Sequence, residues 1–168
     1  STRIATIPGG SYISDIAVNH NNPEELVITK GGYGGSQAKV YTVSQASSCL
    51  TGGASVTSIG GDLPTGLPIY CAEISVSDKN QVIIGTEYGT YAIDNAFTPG
   101  PKNWIASWGM PKTAVYDMYQ QTKKYLYDDH APQIENVLYG KIYAGTHGRG
   151  FWTTGSFVGI EDKNPEKP

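Results

Sequence analysis

Three carboxylates in this sequence, Asp15, Glu73 and Asp117, could take part in acid–base chemistry, and each lies near the start of a β-rich stretch. Glycoside hydrolysis generally requires two carboxylates that flank the bond to be broken. A carboxylate at the end of a strand more often accepts hydrogen bonds from nearby backbone amides. We therefore expect structural roles for these side chains, and they are the residues that would carry catalysis if the chain belonged to a hydrolase.

A second set of side chains could bind a ligand without transforming it. The set combines aromatic rings, which can serve as platforms, with charged groups that hydrogen-bond to sugars or peptides. All of them lie in Gly-bearing segments after β-rich stretches, where turn geometry and exposure alone also favour such residues. The members of the set are Lys30, Tyr33, Glu87, Tyr88, His147 and Arg149.

The sequence holds little that would bind a metal ion or a cofactor. Residues 128–130, Asp-Asp-His, could offer oxygen and imidazole ligands, but a solvated loop explains them more simply. Cys49 and Cys71 match no zinc spacing and are too few for a disulfide framework. A single bridge between them stays open, although the strand assignment below places them towards opposite ends of neighbouring blades. We predict no metal site and no cofactor.

The charge and hydropathy patterns argue against a nucleic-acid partner and against a membrane span. Charged residues make up only 16% of the chain and the net charge is −3, so there is no basic stripe to neutralise nucleic-acid phosphates. No apolar run approaches the roughly 20 residues needed to span a bilayer, so the sequence predicts no membrane span. The 21 glycines and 12 tyrosines are typical of short strands joined by tight turns.

An internal repeat predicts the elements that position these side chains. Each copy contains a strand with alternating apolar and polar residues, a polar turn, and a second β-rich strand. The copies begin at Ile16, Ile74 and Val115, and an insertion at residues 121–140 interrupts the third. A Gly-bearing turn and a third strand follow in every copy, and a fourth strand follows in the first two.

Four antiparallel strands per copy predict an all-β fold made of β-propeller blades. With the strands of a blade named A to D from the inside outward, the chain reads D, ABCD, ABCD, ABC, and the leading D strand lies at residues 3–8. A closed propeller takes about four to eight blades, so we expect missing N-terminal blades, in the parent chain or as a partner protein at the open strand edges. Residues 1–158 form the propeller segment, and residues 159–168, which are charged and contain proline, form a linker.

Two segments resemble sequences of known propellers. Residues 91–97, which include Asp94 and lead to Gly100 and Trp104, resemble a loosened Asp box, the Ser/Thr-x-Asp-x-Gly-x-x-Trp hairpin of sialidase-like and sortilin-like propellers. Residues 142–152 resemble the final blade of large Bacteroidetes propellers that carry a type IX secretion sorting domain after a short linker. In such proteins residues 159–168 would lead to that sorting domain, which this sequence does not include.

The resemblance carries implications for the sites and for location. It implies that the B–C turns and the D–A links open on one face, so that a ligand site would draw on the six residues proposed above. It also implies that Asp-box hairpins lie on the opposite face, where Asp94 would cap amides of its own hairpin and Trp104 would be structural. Proteins of this kind are secreted or attached to the outer membrane at the cell surface.

The sequence therefore predicts a non-catalytic binding or scaffolding protein that contacts protein or glycan. Two alternatives stay open. The chain could be a fragment of a xyloglucanase-like or sialidase-like glycoside hydrolase, with some of its acids supplied by missing blades. It could also be a subunit associated with outer-membrane secretion or gliding machinery, held to a partner by unpaired strand edges.

Overall fold

The computed structural model describes residues 3, 6–7, 11–35, 38–51, 53–107, 109–126 and 133–154. Residues 4, 5 and 8 of the predicted leading strand, residues 128–130, and the linker at 159–168 lie outside the described part of the chain. Arg3, Thr6 and Ile7 are described, and none of them lies in a strand. The regular structure of the described residues is β-strand apart from one 3-10 helix, Ala46–Thr51.

The strands form three antiparallel sheets in which spatial order follows chain order. This arrangement confirms the predicted all-β fold of two four-stranded blades and one three-stranded blade. The first sheet contains β1 (Ile13–Val18), β2 (Leu26–Lys30), β3 (Val40–Ser44) and β4 (Ser55–Ser58); the second contains β5 (Ile69–Ile74), β6 (Val82–Thr86), β7 (Gly89–Ile93) and β8 (Ile105–Ala106); the third contains β9 (Val115–Gln120), β10 (Ile142–Thr146) and β11 (Phe151–Thr154).

The innermost strand of each sheet carries one extra residue at the same place. The pairing of β1 with β2 shifts at Ser14, that of β5 with β6 at Tyr70, and that of β9 with β10 at Tyr116. These bulges align Val18, rather than Ile16, with Ile74, so the sequence alignment of the repeats was wrong by two residues. The same bulges align Val115 with Ile69 rather than with Ile74, so the third copy was misaligned by five residues.

Apolar side chains fill the two spaces between successive sheets, as stacked blades require. Each strand alternates, so one set of residues faces the preceding sheet and the other set faces the following sheet. The core between the first and second sheets includes Ala17, Val27, Val40, Ile69, Ile74, Val82, Ile84, Ile93 and Trp104. The core between the second and third sheets includes Cys71, Ile83, Ala92, Val115, Met118, Ile142 and Ala144.

The outer faces of this stack are covered only in part: Leu26, Ile28 and Val43 on the first sheet belong to a buried cluster, but the innermost strand of that sheet and the third sheet are exposed. Ile16 and Val18 on the first sheet are each 53% exposed, and Tyr119 and Phe151 on the third sheet are 67% and 80% exposed. The strands β5 and β6 of the middle sheet are instead buried or half-buried throughout. The described sheets do not close into a barrel, which fits a partial propeller. No helix in the described part of the chain is long and apolar enough to cross a membrane.

Gly85 in β6 marks a close approach between the second and third sheets. A Cβ atom at this position would lie 2.8 Å from the backbone carbonyl oxygen of Val115 and closer still to the Cys71 sulfur. Carbon and oxygen atoms in contact are normally separated by well over 3 Å. The two sheets therefore pack at this distance because residue 85 has no side chain.

We expect Gly85→Ala to lower the free energy of unfolding by about 1–3 kcal/mol, as overpacking in a filled core does. The equivalent residue of the third sheet, Gly145, is the matched control. A Cβ there would meet only the Asp117 carbonyl oxygen, at 3.7 Å. Gly145→Ala should therefore change stability by less than about 0.5 kcal/mol. Urea unfolding followed by tryptophan fluorescence measures both, and equal effects would contradict the close approach.

Candidate functional site

The turns and links predicted to carry a ligand site lie at one end of the three sheets. We call this end the top face; β1, β5 and β9 begin there, and β2, β6 and β10 end there. The backbone N–H groups of Gly31, Glu87 and His147 donate to the carbonyl oxygens of residues 12, 68 and 114, at 3.1, 3.2 and 2.8 Å. These matching bonds show that Gly31, Glu87 and His147 occupy equivalent positions in the three sheets.

Five side chains from all three sheets meet on the top face, and we call them the tyrosine cluster: Tyr33, Tyr70, Glu87, Tyr116 and His147. The Tyr70 hydroxyl donates a hydrogen bond to the Glu87 carboxylate. The rings of Tyr70 and Tyr116 meet edge to face at a centroid distance of 4.9 Å, and those of Tyr116 and His147 at 5.6 Å. The Tyr33 hydroxyl interacts with both Tyr70 and Glu87.

The charge state of the tyrosine cluster follows from its burial and its acid. Burial raises the pKa of Tyr70 strongly, and its hydrogen bonds to Glu87 and Tyr33 raise it further. The Tyr70 hydroxyl therefore stays protonated at ordinary pH values and remains the donor of its hydrogen bond to Glu87. The cluster offers ring surfaces, hydroxyl groups and one carboxylate acceptor, which are the groups that bind sugars through stacking and hydrogen bonds.

The structure brings together three of the six predicted ligand-binding residues, Tyr33, Glu87 and His147. Tyr88 is 61% exposed in the turn after β6, and Arg149 is exposed in the turn after β10; none of the described ring contacts or side-chain hydrogen bonds joins either side chain to the cluster. Lys30 is placed differently from the prediction. It is only 2% exposed.

Sequence reasoning missed Tyr70 and Tyr116, the two residues that connect the cluster. Both are the extra residue of a bulge, and a bulge is invisible in a sequence until the partner strand is known. One signal was present. A tyrosine is the second residue of both the second and the third innermost strands, where the first innermost strand has Ser14.

Two of the three carboxylates considered for catalysis, Asp15 and Glu73, hold neighbouring sheets together. Asp15 accepts hydrogen bonds from the backbone N–H groups of Ile16, at 2.7 Å, and of Ala72 on the next sheet, at 2.8 Å. Glu73 accepts from the N–H of Gln120 on the third sheet, at 3.2 Å. Asp117 matches Asp15 in the bulge register and is exposed.

Glu73 is nevertheless an unusual acid. Burial raises its pKa to about 7, the hydrogen bond from Gln120 opposes this shift, and the charges of Asp15 and Asp117 add to it. Burial acts in the same direction on the nearby thiol, because it raises the pKa of Cys71 well above its ordinary value. Both groups are therefore held towards their neutral forms by the packing between sheets.

The hairpin that resembles an Asp box is stabilised in another way than the resemblance implied. Asp94 is exposed and takes part in none of the hydrogen bonds found among the described residues. The Lys102 ammonium group instead donates to the carbonyl oxygens of Asn95 and Thr98 in the same loop. The Asn95 side-chain amide donates to the carbonyl oxygen of Pro101. The described bonds that fix this turn therefore come from Asn95 and Lys102.

Trp104 fills the place expected of a structural residue. It is 7% exposed, and its indole N–H donates to the carbonyl oxygen of Ile59 at 2.7 Å. Its backbone N–H donates to the carboxylate of Asp62, also at 2.7 Å. Because Ile59 and Asp62 follow β4, Trp104 joins the outer parts of the first and second sheets.

The described residues contain no group of three His, Cys, Asp or Glu side chains that could hold a metal ion. Residues 128–130, whose cation-binding potential was considered above, are not among the described residues. Cys71 is buried and is not in a disulfide. The side chain of Cys49 lies outside the described part of the structure.

No protein-family model matches this chain, and no curated protein matches it. The class of protein is thus defined by the fold, an all-β stack of antiparallel sheets that fits a partial propeller. The tyrosine cluster is the site that this stack positions.

Proposed function

We propose that this chain is a non-catalytic ligand-binding part of an exported cell-surface propeller, and that the tyrosine cluster binds glycan. The observation that carries the proposal is the continuous ring contact from Tyr70 through Tyr116 to His147 across two sheets. Aromatic side chains in edge-to-face contact, with an adjacent carboxylate acceptor, suit a sugar, which presents apolar ring faces and hydroxyl donors. The resemblance of residues 142–152 to exported propellers supports the location.

The exposure of the cluster supports binding from solvent. Tyr33 is 75% exposed and Tyr116 is 51% exposed, whereas Tyr70 lies half-buried beneath them and fixes Glu87. Glu87 is therefore held in place before a ligand arrives, which lowers the entropic cost of binding. The exposed apolar side chains on the outer faces support a further part of the proposal, that other blades of the parent chain or of a partner protein pack against the first and third sheets. These side chains are Ile16, Val18, Tyr119 and Phe151.

A fragment of a glycoside hydrolase is the second candidate function. The observation that favours it is the raised pKa of Glu73, because a general acid needs to hold its proton near neutral pH. The hydrogen bonds of Asp15 and Glu73 to the next sheets favour the non-catalytic proposal, since both carboxylates already serve the packing.

We test the proposal by measuring binding of the 168-residue chain to a panel of purified neutral and acidic polysaccharides. Tyr116→Ala removes the central ring of the cluster and should weaken binding about tenfold, in line with the loss of one stacking contact of about 1–1.5 kcal/mol. Tyr88→Ala is the matched control, because Tyr88 is an exposed tyrosine of the neighbouring turn and should leave affinity unchanged.

Three outcomes would contradict the proposal. The first is that no polysaccharide in the panel binds, and the second is that Tyr88→Ala weakens binding as much as Tyr116→Ala. The third is release of reducing ends from a bound polysaccharide, abolished by Glu73→Gln, which would establish the hydrolase candidate instead.

A further inference from the structure

The third sheet ends where the other two sheets continue. A fourth strand, β4 or β8, pairs with the third strand of the first and second sheets, whereas β11 is the outer edge of the third sheet among the described residues. An unpaired strand presents a row of backbone N–H and C=O groups that can bind a further strand. The edge of β11 is therefore a place where a fourth strand can add.

A cavity marks the same missing element. Trp104 precedes the fourth strand β8 and belongs to the core between the first and second sheets, together with Ile84 and Tyr91. Ile84 pairs with Tyr91 across β6 and β7. The equivalent pair of the third sheet, Ala144 and Trp152, instead borders a cavity of about 250 Å³. A side chain next to a fourth strand of the third sheet would fill this cavity as Trp104 fills the first space.

The start of the chain resembles the end of a fourth strand that has lost its sheet. Ile7 packs against the buried cluster on the outer face of the first sheet, which includes Ile28. Ile59, directly after β4, packs in the same way against the second sheet. The leading segment that ends at Ile7 therefore lies on the opposite side of the stack from β11, so it cannot complete the third sheet of its own chain.

We propose that the outer face of the third sheet binds the first sheet of a second copy of this chain, with the leading segment of that copy beside β11. Two molecules then repeat the packing that joins successive sheets within one molecule. The apolar side chains that become covered are those exposed in the single chain, Tyr119 and Phe151 on one copy and Ile16 and Val18 on the other. A second copy is a partner that the proposed function leaves open, and its binding does not depend on a glycan.

A polar contact between successive sheets supports the same direction of packing. The Asp15 carboxylate accepts the N–H of Ala72 on the next sheet, at 2.8 Å. Asp117 is the equivalent of Asp15 on the third sheet and is exposed. Ile16 is the equivalent of Ala72 on the first sheet, because the two residues pair with equivalent partners. Asp117 therefore lies opposite Ile16 of the second copy, as Asp15 lies opposite Ala72.

Two copies are the number that suits a closed ring. Each copy brings three sheets, so two copies bring six. Closed propellers contain about four to eight blades, a range that three copies would exceed. Interfaces between unlike faces close into a ring when the rotation between copies allows it. In the ring each third sheet receives the leading segment of the other copy.

The first experiment measures the molar mass of the 168-residue chain by size-exclusion chromatography with light scattering, over a range of concentrations. We expect a mass that rises with concentration to twice the 18.0 kDa of one chain. A mass of 18.0 kDa at every concentration overturns the inference.

The second experiment places a charge on the third sheet. Tyr119→Arg should weaken dimer formation at least about a hundredfold, because the guanidinium group becomes buried between apolar faces without a partner. Tyr88→Arg is the matched control, because it makes the same change at an exposed tyrosine in the turn after β6 of the middle sheet. It should leave the molar mass unchanged, and equal effects of the two substitutions contradict the proposed interface.

A third experiment tests the head-to-tail direction. Ile16→Arg alters the first sheet and should also prevent dimer formation. In a mixture of Ile16→Arg and Tyr119→Arg chains, one of the two interfaces joins unmodified faces, so heterodimers should form that neither variant forms alone. A dimer of like faces requires instead that one of the two substitutions has no effect, and this result overturns the head-to-tail arrangement.

The outcomes separate the failure of this inference from the failure of the proposed function. A monomer that binds a polysaccharide through Tyr116 overturns the second copy as partner and leaves glycan binding intact. A dimer that binds no polysaccharide overturns glycan binding alone. Because the first experiment uses the unmodified chain, the inference can be refuted even if a variant does not fold.

Discussion

Trp104→Ala is expected to lower the free energy of unfolding by about 3–5 kcal/mol, the usual cost of removing a large aromatic side chain from a core. The ring belongs to the core between the first and second sheets, and its N–H is the hydrogen-bond donor to Ile59. The substitution therefore leaves a cavity and removes the partner of a buried carbonyl group. Urea unfolding monitored by far-ultraviolet circular dichroism measures this change without depending on the lost fluorophore.

Two further variants separate the contributions. Trp104→Phe keeps a ring in the core but leaves the Ile59 carbonyl oxygen without this donor, so it should cost about 1–3 kcal/mol. Trp152→Ala is the matched control, because Trp152 is 38% exposed and its N–H bonds locally to Arg149. We expect it to cost about 1 kcal/mol or less. A loss of less than about 1 kcal/mol for Trp104→Ala would show that Trp104 does not join the two sheets.

Glu73→Gln is expected to stabilise the chain at pH 8 by about 3 kcal/mol and to have little effect at pH 4. The pKa of Glu73 is about 7 in the folded chain, against its ordinary value of 4.5. Between these values the folded chain binds a proton that the unfolded chain has lost, so the free energy of unfolding falls as pH rises. The fall is about 1.4 kcal/mol per pH unit and ends above pH 7.

The measurement is the difference between the unfolding free energies of Glu73→Gln and the unmodified chain, at half-unit steps from pH 4 to pH 8. The glutamine oxygen can still accept the hydrogen bond from Gln120, so the substitution changes mainly the ionisable group. Asp94→Asn removes an exposed carboxylate at the opposite end of the sheets and controls for the change in net charge. A difference that is constant over the pH range would contradict a desolvated Glu73 carboxyl group.

The strand order of this fold could be predicted because its signals are local. Short apolar runs rich in β-branched residues in β2 and β6, and glycines after them, mark strands and turns without knowledge of their partners. The register could not be predicted to the residue, since Ser14, Tyr70 and Tyr116 are recognisable as extra residues only once the paired strand is known.

The site was predicted in part for the same reason. Glu87 and His147 follow their strands directly, so their place on the top face could be read from the sequence. The burial of Lys30 depends on tertiary packing, which local patterns do not determine. The bond from Gln120 to Glu73 depends on the packing of one sheet on another, and a single sequence does not contain that relation.

The bulge in each innermost strand sets one residue apart from those that pack the sheets against each other. The extra residue is the only one in its strand that does not take part in the alternation between the two packed faces. Under the proposed function, a substitution at Tyr70 or Tyr116 would therefore alter ligand binding while the alternating residues that support each sheet stay as they are. Ligand binding and sheet packing would then depend on separate positions, so the same stack of sheets could evolve towards new ligands by single mutations at these two sites.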